Sequence, residues 1–136
     1  MPKYAIAVLL FASLLGCSSG EDMATAEKEV AQFRQLMESE QFGKLYANAS
    51  DELRKSASEA DVTKIFGALS RKLGKVKTAD KAGWHVNFHT AGTFVTLGFN
   101  TQFEKGPGTE QFVFRVADGK ARLVSYNVNS AALLLN

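Results

Sequence analysis

Few side chains in this sequence have the type and spacing for chemistry. His85 and His89 alternate onto one face of a strand, but four residues at about 3.3 Å each put them roughly 13 Å apart, too far to share a metal ion. Cys17 is the only cysteine, so no intrachain disulfide can form. Thr101, Ser125, Asn127 and Asn129 are the polar groups expected on the inner face of a sheet, and none titrates near neutral pH. General acid and base catalysis therefore lacks a reagent, and the sequence predicts no enzyme, no metal and no cofactor. Ser125, Asn127 and Asn129 form a polar ladder beside the aromatic wall of Phe103 and Phe112, the composition of a pocket for a small ligand. The simpler role for that ladder is to satisfy backbone at the sheet's edge. Arg115 and Arg122 are expected directly opposite one another, where like charges repel. They suit an anion or a partner's carboxylate, or they splay into solvent.

The strands that must position these groups run from Trp84 to Asn129. An Ala91-Gly92 turn pairs Phe88 with Val95, Val86 with Leu97 and Trp84 with Phe99. An Asp118-Gly119 turn pairs Val116 with Ala121 and Phe114 with Leu123. The looser connection from Lys105 to Glu110 pairs Phe103 with Phe112, Thr101 with Phe114 and Phe99 with Val116. All three hairpins agree on one buried face, made of Trp84, Val86, Phe88, Val95, Leu97, Phe99, Phe103, Phe112, Phe114, Val116 and Leu123. The opposite face is polar, as one side of an antiparallel sheet is, except for Phe94, Val113, Val124, Tyr126 and Val128. Those five, with Arg115 and Arg122, mark a candidate interface for a homodimer or an envelope partner.

Helices must cover the apolar face. Met23, Ala26, Val30, Phe33 and Met37 recur at helical spacing after Asp22 as N-cap. Phe42, Leu45, Tyr46 and Ala49 repeat the pattern in a shorter helix, with Tyr46 in the core. Ser50 to Ser58 reads as polar linker with one turn near Leu53. Ser58 and Asp61 resemble a capping box ahead of Val62, Ile65, Phe66, Leu69 and Leu73, and Gly74 suits the C′ position. Val76 to Ala79 is either a short strand or the bent start of the first long one.

The amino-terminal stretch is of another kind. Lys3, the apolar run from Tyr4 to Ala12 and Leu14-Leu15-Gly16-Cys17 resemble a bacterial lipoprotein signal ending in a lipobox. The resemblance implies a signal peptide over residues 1–16, cleavage between Gly16 and Cys17, lipidation of Cys17, and a tether over 17–22. Lipid contributes about 0.8 kcal/mol per buried methylene, so the chains on Cys17 would dominate membrane attachment. Ser18 after the cysteine favours the outer membrane facing the periplasm. With Cys17 lipidated, no zinc-type cluster of His and Cys remains. Removing Lys3 from the 16 basic residues leaves 15 against 14 acidic, a balance that argues against a nucleic-acid partner.

Residues 23–136 suit a single α+β domain of roughly 110 residues. Helices followed by a curved four-strand antiparallel meander resemble the nuclear transport factor 2-like (cystatin-like) superfamily. Phe42-Gly43-Lys44-Leu45-Tyr46, Leu73-Gly74, Gly92-Thr93-Phe94-Val95, Asn100-Thr101-Gln102-Phe103 and Tyr126-Asn127-Val128 are similar to small bacterial lipoproteins of unknown function within it. The resemblance implies a cone with a pocket at its open end, and no particular activity, because that fold serves many. The expected role is a non-catalytic binding or protein-interaction module, the alternative a carrier of a small apolar ligand inside the cone.

Overall fold

The computed structural model describes residues 19–136. The expected signal peptide over 1–16, the expected lipobox and Cys17 lie outside these residues. Helices α1 (Ser19–Glu38), α2 (Phe42–Ala47), α3 (Asp51–Ser56) and α4 (Glu59–Leu73) precede strands β1 (Val76–His89), β2 (Gly92–Phe103), β3 (Gly106–Ala117) and β4 (Lys120–Asn129). A short helix α5 (Ala132–Leu135) follows. The strands form one antiparallel sheet in the order β1-β2-β3-β4, an open curved meander beneath the helices. This is the α+β class that the apolar periodicities predict.

The helix signals act as expected at α4. The Ser58 hydroxyl accepts from Asp61 N at 3.1 Å, and Gly74 ends the helix at φ 73°, where a side chain would be strained. Ser50 caps a further helix, α3, by accepting from Leu53 N, so the segment expected to be linker is helical. Residues 19–22 of the expected tether are helical, because α1 already includes Ser19, and Asp22 is buried within it rather than capping it. Ile65, expected on the buried stripe of α4, is exposed.

The last hairpin has the predicted register, Val116 opposite Ala121 and Phe114 opposite Leu123. The other two hairpins do not. The first turn is Thr90-Ala91, which sets Val86 opposite Val95 and Trp84 opposite Leu97. Gly92 falls in the strand at φ 132°, where an added Cβ would lie 2.7 Å from Val116 O. In the middle hairpin Phe103 pairs with Gly106 and Leu97 with Phe112. That turn is tied to the end of α4: Lys105 N donates to Leu73 O, Glu104 N to Lys75 O, and Lys75 N to the Glu104 carboxylate. Both shifts are even numbers of residues, so each side chain keeps its face.

Besides a register shift between Val76 and Thr78, where β1 begins, two bulges change the faces. One between Lys81 and Gly83 bends β1, which makes Val76 to Ala79 the start of the long strand. Lys81 pairs with Glu27 of α1 at 2.5 Å, and beyond this point the strand runs out from under the helices. Trp84 and Phe88, expected in the core, are therefore 64% and 66% exposed. The second bulge makes Val124 an extra residue, so Ser125 pairs with Val113 and Tyr126 with Phe112. From there Tyr126 and Val128 face inward, and Ser125, Asn127 and Asn129 face outward, the reverse of the predicted assignment.

The main core joins Ala26, Val30, Phe33 and Leu36 of α1 with Leu45, Val62 and Phe66, over Val95, Leu97, Phe112, Phe114, Val116 and Leu123. A smaller cluster of Leu73, Phe103 and Ala132 closes the end near α5. Phe114 is fully buried and stacks on Phe112 with ring centroids 5.9 Å apart. Phe114→Ala is expected to cost about 3–5 kcal/mol in urea denaturation, and a loss below about 1 kcal/mol would mean that the faces are assigned backwards.

Candidate functional site

The α1 stripe that buries Val30 and Phe33 also carries Arg34, four residues after Val30, so its guanidinium points at the sheet. It lies over the rings of Phe99 and Phe112, 5.2 and 5.6 Å from their centroids. Glu110 meets it from β3, where the observed register sets this residue opposite Phe99 on one side and Val128 on the other. Arg34 Nη1 is 2.9 Å from Glu110 Oε1 and donates to Oε2 at 3.2 Å.

Two further donors reach the same carboxylate. The Thr101 hydroxyl, from β2, donates to Oε1 at 2.5 Å, and the Tyr126 hydroxyl, from β4, donates to Oε2 at 2.6 Å. Glu110 is 3% exposed, and a carboxylate so deep is tolerable only with such partners. Burial, then the Glu110 charge and the hydrogen bond to it, push the Tyr126 phenol far above the usual tyrosine range, and Arg34 opposes them more weakly. Tyr126 is thus a permanent donor at physiological pH. Its ring packs on Phe33 and Phe112 at 4.7 and 4.8 Å.

Beside this network is a cavity of about 650 Å³. Phe33, Met37, Leu69, Leu73, Val76 and Phe103 supply its apolar wall, and Arg34, Glu110 and Tyr126 its polar floor. Glu38, Glu40, Lys75 and Glu104, all exposed, also line it and stand at its mouth. A second cavity of about 410 Å³ lies across Ala31 and Arg34, against Lys81 and Phe99.

Of the residues expected to form a pocket, Phe103 lines the cavity and Phe112 is buried beside Tyr126. Ser125, Asn127 and Asn129 are on the other face of the sheet. Of the expected interface, Phe94 and Val113 are half-buried on the outer face, and Val124 is the half-buried bulge residue. Tyr126 and Val128 are inside. Arg115 stands opposite Arg122 as expected, and Arg115 Nε is 3.0 Å from Glu52 Oε1. Burial raises the Glu29 carboxyl, and the charge of Arg122 opposes that more weakly. His85 and His89 are exposed, the first beside Asn87 Oδ1 and the second against the Phe94 ring. Among the described residues, no three acidic, His or Cys side chains are grouped to hold a metal.

The expectation that the cone holds no ionisable group is corrected by Glu110 and Arg34. A signal for Glu110 was present, since it falls in period two with Phe112, Phe114 and Val116.

The family described as a protein of unknown function (DUF4019) matches residues 29–126. The chain belongs to this family. The DUF4019 match begins within α1 and ends on Tyr126, so Arg34, Thr101, Glu110 and Tyr126 all fall inside it. No curated protein matches the chain.

The raised Tyr126 pKa has a signed consequence. An unfolded tyrosine ionises near about pH 10, and the folded one higher, so the folded state holds the extra proton above that pH. Stability from this group is complete below about pH 10 and is lost as pH rises beyond it. In an alkaline titration Tyr126 should yield its tyrosinate absorbance only together with the loss of the circular dichroism signal, and Tyr126→Phe should remove that step. Ordinary titration of every tyrosine in the folded protein would contradict the burial described.

Proposed function

We propose that this DUF4019 protein is a non-catalytic binding module of the bacterial cell envelope, anchored through lipid on Cys17, that holds a small, largely apolar ligand inside the cone. The observation that carries this reading is the cavity of about 650 Å³ with apolar walls and a preorganised polar floor, the size and make-up of small-molecule sites. The order of helices and curved meander is read as that of the nuclear transport factor 2-like superfamily, in which the open end of the cone serves such a purpose. Catalysis is disfavoured because both oxygens of Glu110 already accept from Arg34, Thr101 and Tyr126, which leaves no free base.

The anchor is compatible with the site. Helix α1 starts within two residues of Cys17, and Arg34 lies about 22 Å along it from Ser19 at 1.5 Å per residue. A ligand would enter well away from the acyl chains. No described helix is long and apolar enough to cross a membrane.

A second reading, contact with a protein partner or a second copy, draws support from Trp84 and Phe88, which are largely exposed on edge strand β1. The outer-face patch supports it less, because Tyr126 and Val128 are not part of that face.

Native mass spectrometry of protein purified gently from a bacterial envelope tests the choice. The carrier reading expects an added small-molecule mass that is reduced in Leu69→Trp, whose indole intrudes on the cavity. A clean monomer or dimer with no added mass contradicts it and turns attention to crosslinked partners.

A further inference from the structure

One donor at the cavity is left without a partner, and it restricts what the cavity can hold, provided that the ligand-binding reading above is right. Arg34 lines both cavities. Its Nη1 serves Glu110, whereas its Nη2 is buried and has no hydrogen-bond partner. A charged N–H shut away from water and unpaired costs free energy that an acceptor would recover. The rings of Phe99 and Phe112, over which the guanidinium lies, offer π faces but no lone pair. Leu69, Leu73 and Phe103 across the cavity bring none either. The missing acceptor is therefore one that a ligand can supply.

The charge of that acceptor follows from the floor. Arg34 and Glu110 already neutralise one another, and Thr101 and Tyr126, the other partners of the carboxylate, are hydroxyl donors. A ligand carboxylate on Nη2 would set a second negative charge beside Glu110, with one guanidinium between them, where charge is costly to desolvate. An uncharged oxygen avoids that cost. A ligand donor is less suitable, because both oxygens of Glu110 are already engaged. A carbonyl, which accepts and does not donate, meets both conditions. Reaching Nη2 takes a small adjustment of its cover, and Met37, one turn along α1 from Arg34 and in the same cavity wall, is the pliable side chain beside it.

We propose that the ligand is an uncharged apolar molecule bearing a carbonyl group, as a ketone or ester does. Its oxygen accepts from Arg34 Nη2, and its hydrocarbon body lies against Phe33, Met37, Leu69 and Phe103. The carbonyl fixes the orientation, and the apolar walls hold the body.

The test titrates the full chain, held in nanodiscs of zwitterionic lipid with empty nanodiscs subtracted, against acetylnaphthalene, isopropenylnaphthalene and naphthoate. Relative to transfer from water into octane, the ketone is expected to bind at least about tenfold better than its hydrocarbon isostere, and naphthoate to have the lowest affinity of the three. Arg34→Lys keeps a cation for Glu110 but lacks the second guanidinium nitrogen, and should remove most of that advantage. An isotopic label on the carbonyl carbon gives a second readout on the unaltered protein: its bound resonance should lie at or downfield of its position in water. A ratio no better than that in octane, an advantage that survives Arg34→Lys, a resonance upfield of the water position, or naphthoate as the tightest binder would each overturn the ligand class while leaving the cavity as a binding site. Failure of all three probes to bind would overturn the binding reading itself, and this inference with it.

Discussion

Glu110 places a carboxylate where water scarcely reaches, and the surrounding structure is arranged to satisfy it. Its partners come from α1, β2 and β4, while it sits on β3 itself. A buried ion pair is seldom a net source of stability compared with apolar side chains of similar size. What it supplies here is position: α1 cannot slide or rotate on the sheet without separating Arg34 from Glu110. The guanidinium is also confined between the helix and the rings of Phe99 and Phe112. Fixing α1 at this point leaves open the space between it, Leu69 of α4 and Phe103 of β2, and that space is the cavity.

The bulge at Val124 is part of the same arrangement. Without the extra residue, Tyr126 would lie on the outer face and Glu110 would lose one of the two donors to Oε2. With it, the aromatic ring joins Phe33 and Phe112 while the hydroxyl meets the carboxylate. One irregularity in β4 thus converts an expected surface residue into a member of the site, and it turns Asn127 and Asn129 away to solvent. Bulges often serve in this way to re-aim side chains beside functional sites.

Much of the architecture is legible in the sequence because local chemistry and tertiary structure agree. Ser58, Gly74 and the spacing of Val62, Phe66 and Leu73 specify α4, and Asp118-Gly119 sets the register of the last hairpin. Even the misjudged hairpins keep their faces, since the period-two pattern of Val95, Leu97, Phe112 and Phe114 does not depend on register. What could not be read are the features that local pattern does not encode. Gly83 marks the bulge after Lys81, as a glycine inside a strand pattern does, but no residue type announces the one at Val124. Trp84 and Phe88 look like core residues but belong to an edge strand that extends past the helices. Glu110 was hidden by being assigned to a loop, because the contacts that shorten that loop, from Glu104 and Lys105 to the end of α4, span more than 28 residues of sequence. No residue type or spacing distinguishes Arg34 from a solvated charge of an amphipathic helix, and only its pairing with Glu110 does so.

A pair of denaturation curves tests the role of Glu110 most directly. Arg34→Met leaves the carboxylate buried without its cation and should cost about 3–5 kcal/mol, whereas Arg34→Met/Glu110→Gln removes the stranded charge and should regain much of that loss. If the single substitution costs less than about 1 kcal/mol, or the double variant is no more stable than the single one, Glu110 is not the charged junction on which this fold and its cavity rest.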